Sequence, residues 1–196
     1  MRIWKLMEEK GIATFPKPVF HRIPNFTGAE KAAYNLSNLS EYKQAKAIFC
    51  SPDSPQRSTR EMTLKDGKTL VMATPRLKHG FLVIVPETTP GNERFASTIK
   101  GAFKYGKETT DFPKPDLVVT GSVAVDTKGN RLGKGRGYGD REAKMTKERF
   151  GKVPVVTTIH DVQLVDYVPS TPQDEKVDII VTPTKIIRIK HNKRSN

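Results

Sequence analysis

Residues 116–150 read DLVVTGSVAVDTKGNRLGKGRGYGDREAKMTKERF. An apolar, β-branched run (DLVVTGSVAV) enters a glycine-rich basic loop, and the loop feeds a helical pattern over 141–150. Strand, loop and helix in that order form the repeating unit of α/β proteins. The strand signal recurs along the chain. AIFC (47–50), LVMA (70–73), FLVIV (81–85), LVV (117–119), VPVVT (153–157) and VDIIV (177–181) are each too short for a helix. Several lack alternation, as strands covered on both faces do. Helical patterns fall between them, at 3–10, at 27–39 behind a Thr27–Glu30 capping box, and at 55–64, 95–105 and 141–150. The expected architecture is one α/β domain over 1–190, a three-layer α/β/α sandwich with a mostly parallel, Rossmann-like sheet. A basic tail follows at 191–196.

Composition narrows the function. The chain has 196 residues, 36% of them hydrophobic, and no apolar run approaches the ~18 residues of a membrane span. Its first residues alternate charge with apolar side chains and carry no signal-peptide core. One cysteine, Cys50, excludes an intramolecular disulfide and a cysteine-rich zinc site, which fits a reducing cytoplasm. Thirty-four Lys and Arg against twenty-one Asp and Glu give a net charge of +13, a field that attracts polyanions. Nucleic acid, an anionic membrane surface and small phosphorylated or polycarboxylate ligands all satisfy it.

Where the charge sits helps to choose. Nine Lys or Arg and three acids lie between Lys128 and Lys152, a net of +6 around the glycine loop. Five of the fourteen glycines fall within 129–139, four of them alternating at Gly133, Gly135, Gly137 and Gly139. Glycine lets a ligand approach the backbone, and a run of such residues can curl its amides into an anion nest at a helix start. Arg131, Lys134, Arg136 and Arg141 add cations there. The spacing matches neither the P-loop nor the dinucleotide fingerprint. Asp140 follows the last glycine, where a carboxylate beside phosphate requires a cation between them; Mg²⁺ binds in that way, and the same residue can also cap the helix.

These residues are similar to a known pattern. Arg131-Leu132-Gly133-x-Gly135-x-Gly137-Tyr138-Gly139-Asp140-Arg141 resembles the RLGxGxGYYDR signature of the 5-formyltetrahydrofolate cyclo-ligase (methenyltetrahydrofolate synthetase) family. Gly67-Lys68 with Pro75-Arg76, the Gln163–Pro169 segment, and Asp174-x-Lys176-Val177-Asp178 with Thr182 resemble further motifs of that family in the same order. The resemblance implies a cytoplasmic enzyme of one-carbon metabolism. ATP phosphorylates the formyl oxygen of 5-formyltetrahydrofolate, N10 attacks, and 5,10-methenyltetrahydrofolate forms with ADP and phosphate. It further implies ATP contacts from Arg2, Arg131, Gly133, Lys134, Gly135, Arg136, Gly137, Tyr138 and Gly139. Substrate contacts would come from Ser51, Gln56, Lys134, Gly135, Arg136, Gly137 and Tyr138, and Mg²⁺ ligation from Asp140 and Asp178.

The chain also departs from that pattern. Gln56 stands where the family has an acid, Gly139 replaces the second tyrosine, Gln173 replaces a histidine, and the lysine four residues before Arg2 falls ahead of Met1. The nucleotide half is thereby kept and the pterin half altered, which admits a related formylated pterin as substrate. Two other readings compete: a catalytically silent nucleotide-binding relative, and a basic nucleic-acid-binding protein on the same fold. The second rests on charge alone, without an aromatic-basic RNA signature. His21, His79, His160 and His191 lack metal spacing, and Cys50 ends a strand-like run as a small buried hydrophobe.

Overall fold

Ile48, Phe49 and Cys50 sit in the middle of the molecule with at most 1% of their surface exposed, because both faces of their strand are covered. The computed structural model describes residues 2–135 and 138–191, without the side chains of Arg76 and of residues 138–140. The first half contains α1 (Arg2–Glu9), α2 (Ala29–Ser37), α3 (Ser40–Gln44), β1 (Ala47–Cys50), α4 (Arg57–Lys65), β2 (Thr69–Ala73), β3 (Phe81–Ile84), α5 (Glu93–Ala96) and α6 (Ile99–Tyr105). The second half adds β4 (Lys107–Thr109), β5 (Leu117–Thr120), β6 (Ala124–Asp126), β7 (Arg131–Leu132) and α7 (Tyr138–Phe150). After these come β8 (Val155–Thr158), β9 (Leu164–Val165), β10 (Ile179–Val181) and β11 (Ile186–Arg188).

Eight strands form one mixed sheet in the order β11-β10-β8-β5-β1-β2-β3-β4. Five strands, β10, β8, β5, β1 and β2, are parallel; at the edges β3 pairs antiparallel with β2, β4 antiparallel with β3, and β11 antiparallel with β10. The pleat sends Ile48 and Cys50 to one side, where Leu36, Leu64, Ala96 and Ala102 of the flanking helices meet them. Phe49 points to the other side, against Phe81, Phe112 and Val118, with Phe150 of α7 packed on the cluster. Each such side chain withdrawn from water contributes about 1.5–3 kcal/mol, which is why the central runs are continuously apolar. A second sheet, β7-β6-β9, packs Val125 with Ile159 and Ile180.

The expected α/β architecture with a mostly parallel sheet is present, and three details differ. The run read as one strand, DLVVTGSVAV, is two: β5 belongs to the large sheet and β6 to the small one. The break falls at Gly121, where a Cβ would lie 2.5 Å from Ile23 Cγ2 and 2.7 Å from Gln56 Oε1. The helix expected behind Thr27 starts at Ala29, and its cap is Gly28 at φ 96°, without a side-chain cap bond from Thr27. A side chain at Gly28 would also meet Pro183 at 2.8 Å. The edge strands β4 and β11 are short and largely exposed.

The chain leaves β1 through α4 to reach β2 on one side, and later returns to β5 on the other. The carboxyl ends of β1 and β5 therefore flank a topological switch point, the place where open α/β sheets leave a crevice.

Candidate functional site

That crevice is a cavity of about 730 Å³. Ser51 and Asp53 after β1, Thr74 after β2 and Thr120 at the end of β5 line it, as do Arg131, Gly133, Lys134 and Gly135 of the glycine loop. The walls are built from opposite sides of the switch point.

The β1 side is a tight turn, Ser51-Pro52-Asp53, followed by a 3₁₀ turn over Ser54–Gln56 that runs into α4. Arg60, one turn into α4, is fully buried and reaches back to hold it. Its Nη1 donates to the carbonyls of Ser51 at 2.6 Å and Asp53 at 2.9 Å, and its Nε donates to Ser97 O at 2.8 Å. Gln56 has no exposed surface and does not line the cavity. Its Nε2 donates to Thr158 Oγ1 at 2.9 Å and its Oε1 accepts from Ser51 Oγ at 3.3 Å. The amide thus sits behind Ser51, spent on the protein's own groups.

The loop side is pinned to the same junction. Arg131 Nε donates to Gly121 O at 2.8 Å. Lys134 Nζ lies 3.7 Å from Asp53 Oδ1, so the loop and the β1 turn close on each other across the cavity. Gly135 has φ +90° and no heavy atom within 4 Å of the position a Cβ would take. Backbone there is open to a ligand, as a phosphate cradle requires.

Glu142, in the first half of α7, also lines the cavity and is only 8% exposed. Burial raises its carboxyl to about 8, the Asp53 charge adds to the rise, and Arg131 and Lys134 oppose it. The group is neutral over the acid range and into neutral pH, where it can donate a hydrogen bond.

The expected site residues divide into groups. Ser51, Arg131, Gly133, Lys134 and Gly135 come together, with Gln56 directly behind them. Arg136 and Gly137 lie outside the described residues; Tyr138, Gly139 and Asp140 form the first turn of α7, but their side chains lie outside the description. Arg2 is exposed on α1 and is not among the residues lining the cavity.

Asp178 is not among the residues that line this cavity. It stands at the amino end of β10, the opposite end of the sheet, where its Oδ2 accepts from Val155 N at 2.8 Å and its Oδ1 meets His191 Nε2 at 2.7 Å. Asp174, the first acid of the same motif, is the one that lines the cavity, with Oδ2 accepting from Thr171 N at 2.7 Å. Among the described residues no three His, Cys, Asp or Glu cluster as a self-contained metal cage. Mg²⁺ needs none, since it is held by one or two carboxylates together with substrate phosphates and water. Asp174, on the cavity wall, is a carboxylate of the kind that chemistry uses.

Three further residues were not legible beforehand. Arg60 and Glu142 read as ordinary helix-surface charges and are buried. His21 lines the cavity. His160 is structural: its Nδ1 accepts from Val162 N at 3.1 Å to cap a short turn. Cys50 is fully buried with its thiol pushed up to about 12 by burial, so it is no nucleophile.

The chain is similar in sequence and in fold to several known proteins. The methenyltetrahydrofolate synthase domain-containing protein of Bos taurus is 42% identical over 197 aligned residues, covering 95% of this chain and 52% of that protein. The chain thus spans about half the length of the curated relatives it matches. In fold it is similar to the 5,10-methenyltetrahydrofolate synthetase of Aquifex aeolicus, with a TM-score of 0.60 at 21% identity over 100% of this chain and 95% of that one. It is similar also to the synthetase of Mycoplasma pneumoniae, with a TM-score of 0.56 at 17% identity over 92% of this chain and 96% of that one. The sequence profile of one family matches residues 1–183, and on that match the chain belongs to the 5-formyltetrahydrofolate cyclo-ligase family.

Proposed function

We propose that this chain is an ATP- and Mg²⁺-dependent cyclo-ligase that converts 5-formyltetrahydrofolate, or a closely related formylated pterin, to its 5,10-methenyl form with release of ADP and phosphate. The observation that carries the reading is the closure of the glycine loop on the β1 turn, with Lys134 Nζ 3.7 Å from Asp53 Oδ1 across one cavity. Phosphoryl transfer from ATP to a formyl oxygen demands two anionic, bulky reactants held in line and shielded from water. A single crevice with a backbone cradle on one wall and a hydroxyl-bearing turn on the other meets that demand.

In this reading the open backbone at Gly135 receives the triphosphate, with the Arg131 guanidinium lying over Gly133 beside it, and Arg131 and Lys134 neutralise charge as it shifts toward the leaving ADP. Asp174 on the cavity wall, with Asp140 as the glycine-loop signature implies, would hold the metal. When bound, Mg²⁺ supplies charge neutralisation on the phosphate oxygens. Ser51 Oγ, its proton given to Gln56 Oε1, is left to accept from the folate side, with Gln56 in the position that is acidic elsewhere in the family. An amide there cannot carry the negative charge that an acid would present to a pterin N–H edge. Glu142, neutral and inside the cavity, adds a donor on the same wall as the loop.

The test is direct. Protein incubated with Mg·ATP and 5-formyltetrahydrofolate is expected to show the near-ultraviolet absorbance of the methenyl product in step with ADP release. No product from this or other formylated pterins, beside an active control, overturns the reading. ATP-dependent thermal stabilisation without turnover would identify a silent nucleotide-binding relative instead.

A further inference from the structure

One wall of the cavity is not explained by the chemistry above. Phe20, His21, Arg22 and Ile23 line it, ahead of α2 in the chain. His21 has φ 62°, a left-handed backbone that a non-glycine residue adopts only when its surroundings impose it. Those surroundings are visible. Trp4 of α1 donates from Nε1 to Arg22 O at 2.9 Å, and its ring meets His21 at 5.3 Å and Phe20 at 6.4 Å between centroids. Ile23 is buried with Trp4, Met7, Val19 and Phe26. The segment is therefore clamped from behind while Phe20, 37% exposed, and Arg22, also exposed, remain at the cavity rim.

The charges around it are unequal. Lys134 has Asp53 beside it, whereas Arg22 has no carboxylate partner among the described residues. The segment also lies on the substrate side of the junction. A Cβ at Gly121 would touch Ile23 Cγ2 at 2.5 Å, Gln56 Oε1 at 2.7 Å and Asp53 Oδ2 at 3.3 Å, so Ile23 borders the turn that follows β1.

We propose that the 20–23 rim is the subsite for the aryl-glutamate tail of the substrate, with Phe20 against the aromatic ring and Arg22 paired with a tail carboxylate. This inference rests on the folate reading of the same cavity. An aromatic face beside a guanidinium suits a ligand carrying a flat ring and a carboxylate a few bonds apart, and a guanidinium can bind a carboxylate through two parallel hydrogen bonds. ATP also carries a flat ring, but its charge is a triphosphate, and the glycine-loop cradle for that lies on the other wall.

Trp4 is the only tryptophan in the chain and contacts the rim, so its fluorescence reports ligand directly. Wild type, Arg22→Met and Arg22→Lys are titrated with 5-formyltetrahydrofolate, with 5-formyl-6-methyltetrahydropterin, which lacks the tail, and with Mg·ATP; ring closure is followed in parallel. Arg22→Met is expected to weaken the folate by about tenfold or more, the span of a lost charge-assisted hydrogen bond, and to leave the pterin and ATP unchanged. Arg22→Lys is expected to recover part of the loss. Equal weakening of folate and pterin, weakening of ATP alone, or no change in any of them overturns the tail subsite. Folate binding that depends on Arg22 without ring closure overturns the proposed activity and leaves this subsite standing; ring closure with unaltered folate affinity in Arg22→Met does the reverse. Wild-type protein that binds no folate overturns both.

Discussion

Arg60 Nη1 donates to the carbonyl of Ser51 at 2.6 Å from a side chain only 2% exposed. A guanidinium is costly to bury, and burial holds its pKa below the ordinary value. The cost is offset by hydrogen bonds to three carbonyls, on Ser51, Asp53 and Ser97, of which Asp53 O also accepts from Gln56 N at 3.2 Å. The chain thus spends a buried cation on fixing the turn that carries Asp53 to the glycine loop. Arg60→Met is expected to lose about 3 kcal/mol or more of stability in urea, because it removes a donor from each of those carbonyls. Arg60→Lys should recover part of the stability and lag in kcat, since an ammonium cannot reproduce the fork. Equal stability of Arg60→Met and wild type would show that the turn holds itself.

Gly121 is the point where Ile23, Gln56 and Asp53 converge, with no room for a methyl group. Gly121→Ala is expected to cost about 1–3 kcal/mol through overpacking and to lower kcat by displacing the Asp53 turn. Unchanged melting and turnover would contradict the crowding at this junction.

That glycine also marks the limit of what the chain's letters disclose. The central strands were legible because their burial is local and total: AIFC and LVVT can be nothing but covered strands. The break inside DLVVTGSVAV was not, since it arises from side chains far away in sequence that crowd Gly121. β4, reading KET, carries no apolar signal, because an edge strand is defined by its neighbour and not by its own burial. In the site, Gly135 could be read from the backbone freedom it confers. Arg60 and Glu142 could not, for nothing in a polar residue's own identity announces that it will be buried.

Arg188 of β11 forks onto Glu41 of α3, with Nη1 to Oε2 at 2.6 Å and Nη2 to Oε1 at 3.0 Å. These bonds hold the Glu41 carboxyl down to about 2 against an ordinary 4.5. A carboxyl whose folded pKa is depressed stabilises the fold above its unfolded pKa, and that contribution is lost as pH falls from 4.5 toward 2. Arg188 is more than half exposed, so solvent screens the pair and its worth is small. The expected result is a urea midpoint difference between wild type and Glu41→Gln that is present at pH 7, shrinks below pH 4.5 and vanishes near pH 2. A difference that persists at pH 2 would mean the substitution acts through packing instead.

Asp174 and Asp178 lie four residues apart in one motif and share the wall of a second cavity, but of the two only Asp174 also lines the crevice of the glycine loop, which makes them a paired test of the metal assignment. Asp174 faces the cavity that Lys134 and Gly135 line, where a carboxylate can share a divalent ion with a phosphate. Asp178 spends both oxygens on Val155 N and His191, tying β8 to β10 and to the chain that follows β11. Asp174→Asn is therefore expected to reduce Mg²⁺-dependent turnover by orders of magnitude and raise the Mg²⁺ needed for half activity, with melting little changed. Asp178→Asn is expected to lower the melting temperature and leave the Mg²⁺ requirement as it was. The reverse pattern, stability lost at 174 and Mg²⁺ demand raised at 178, would return the metal to the far end of the sheet and separate it from the glycine loop.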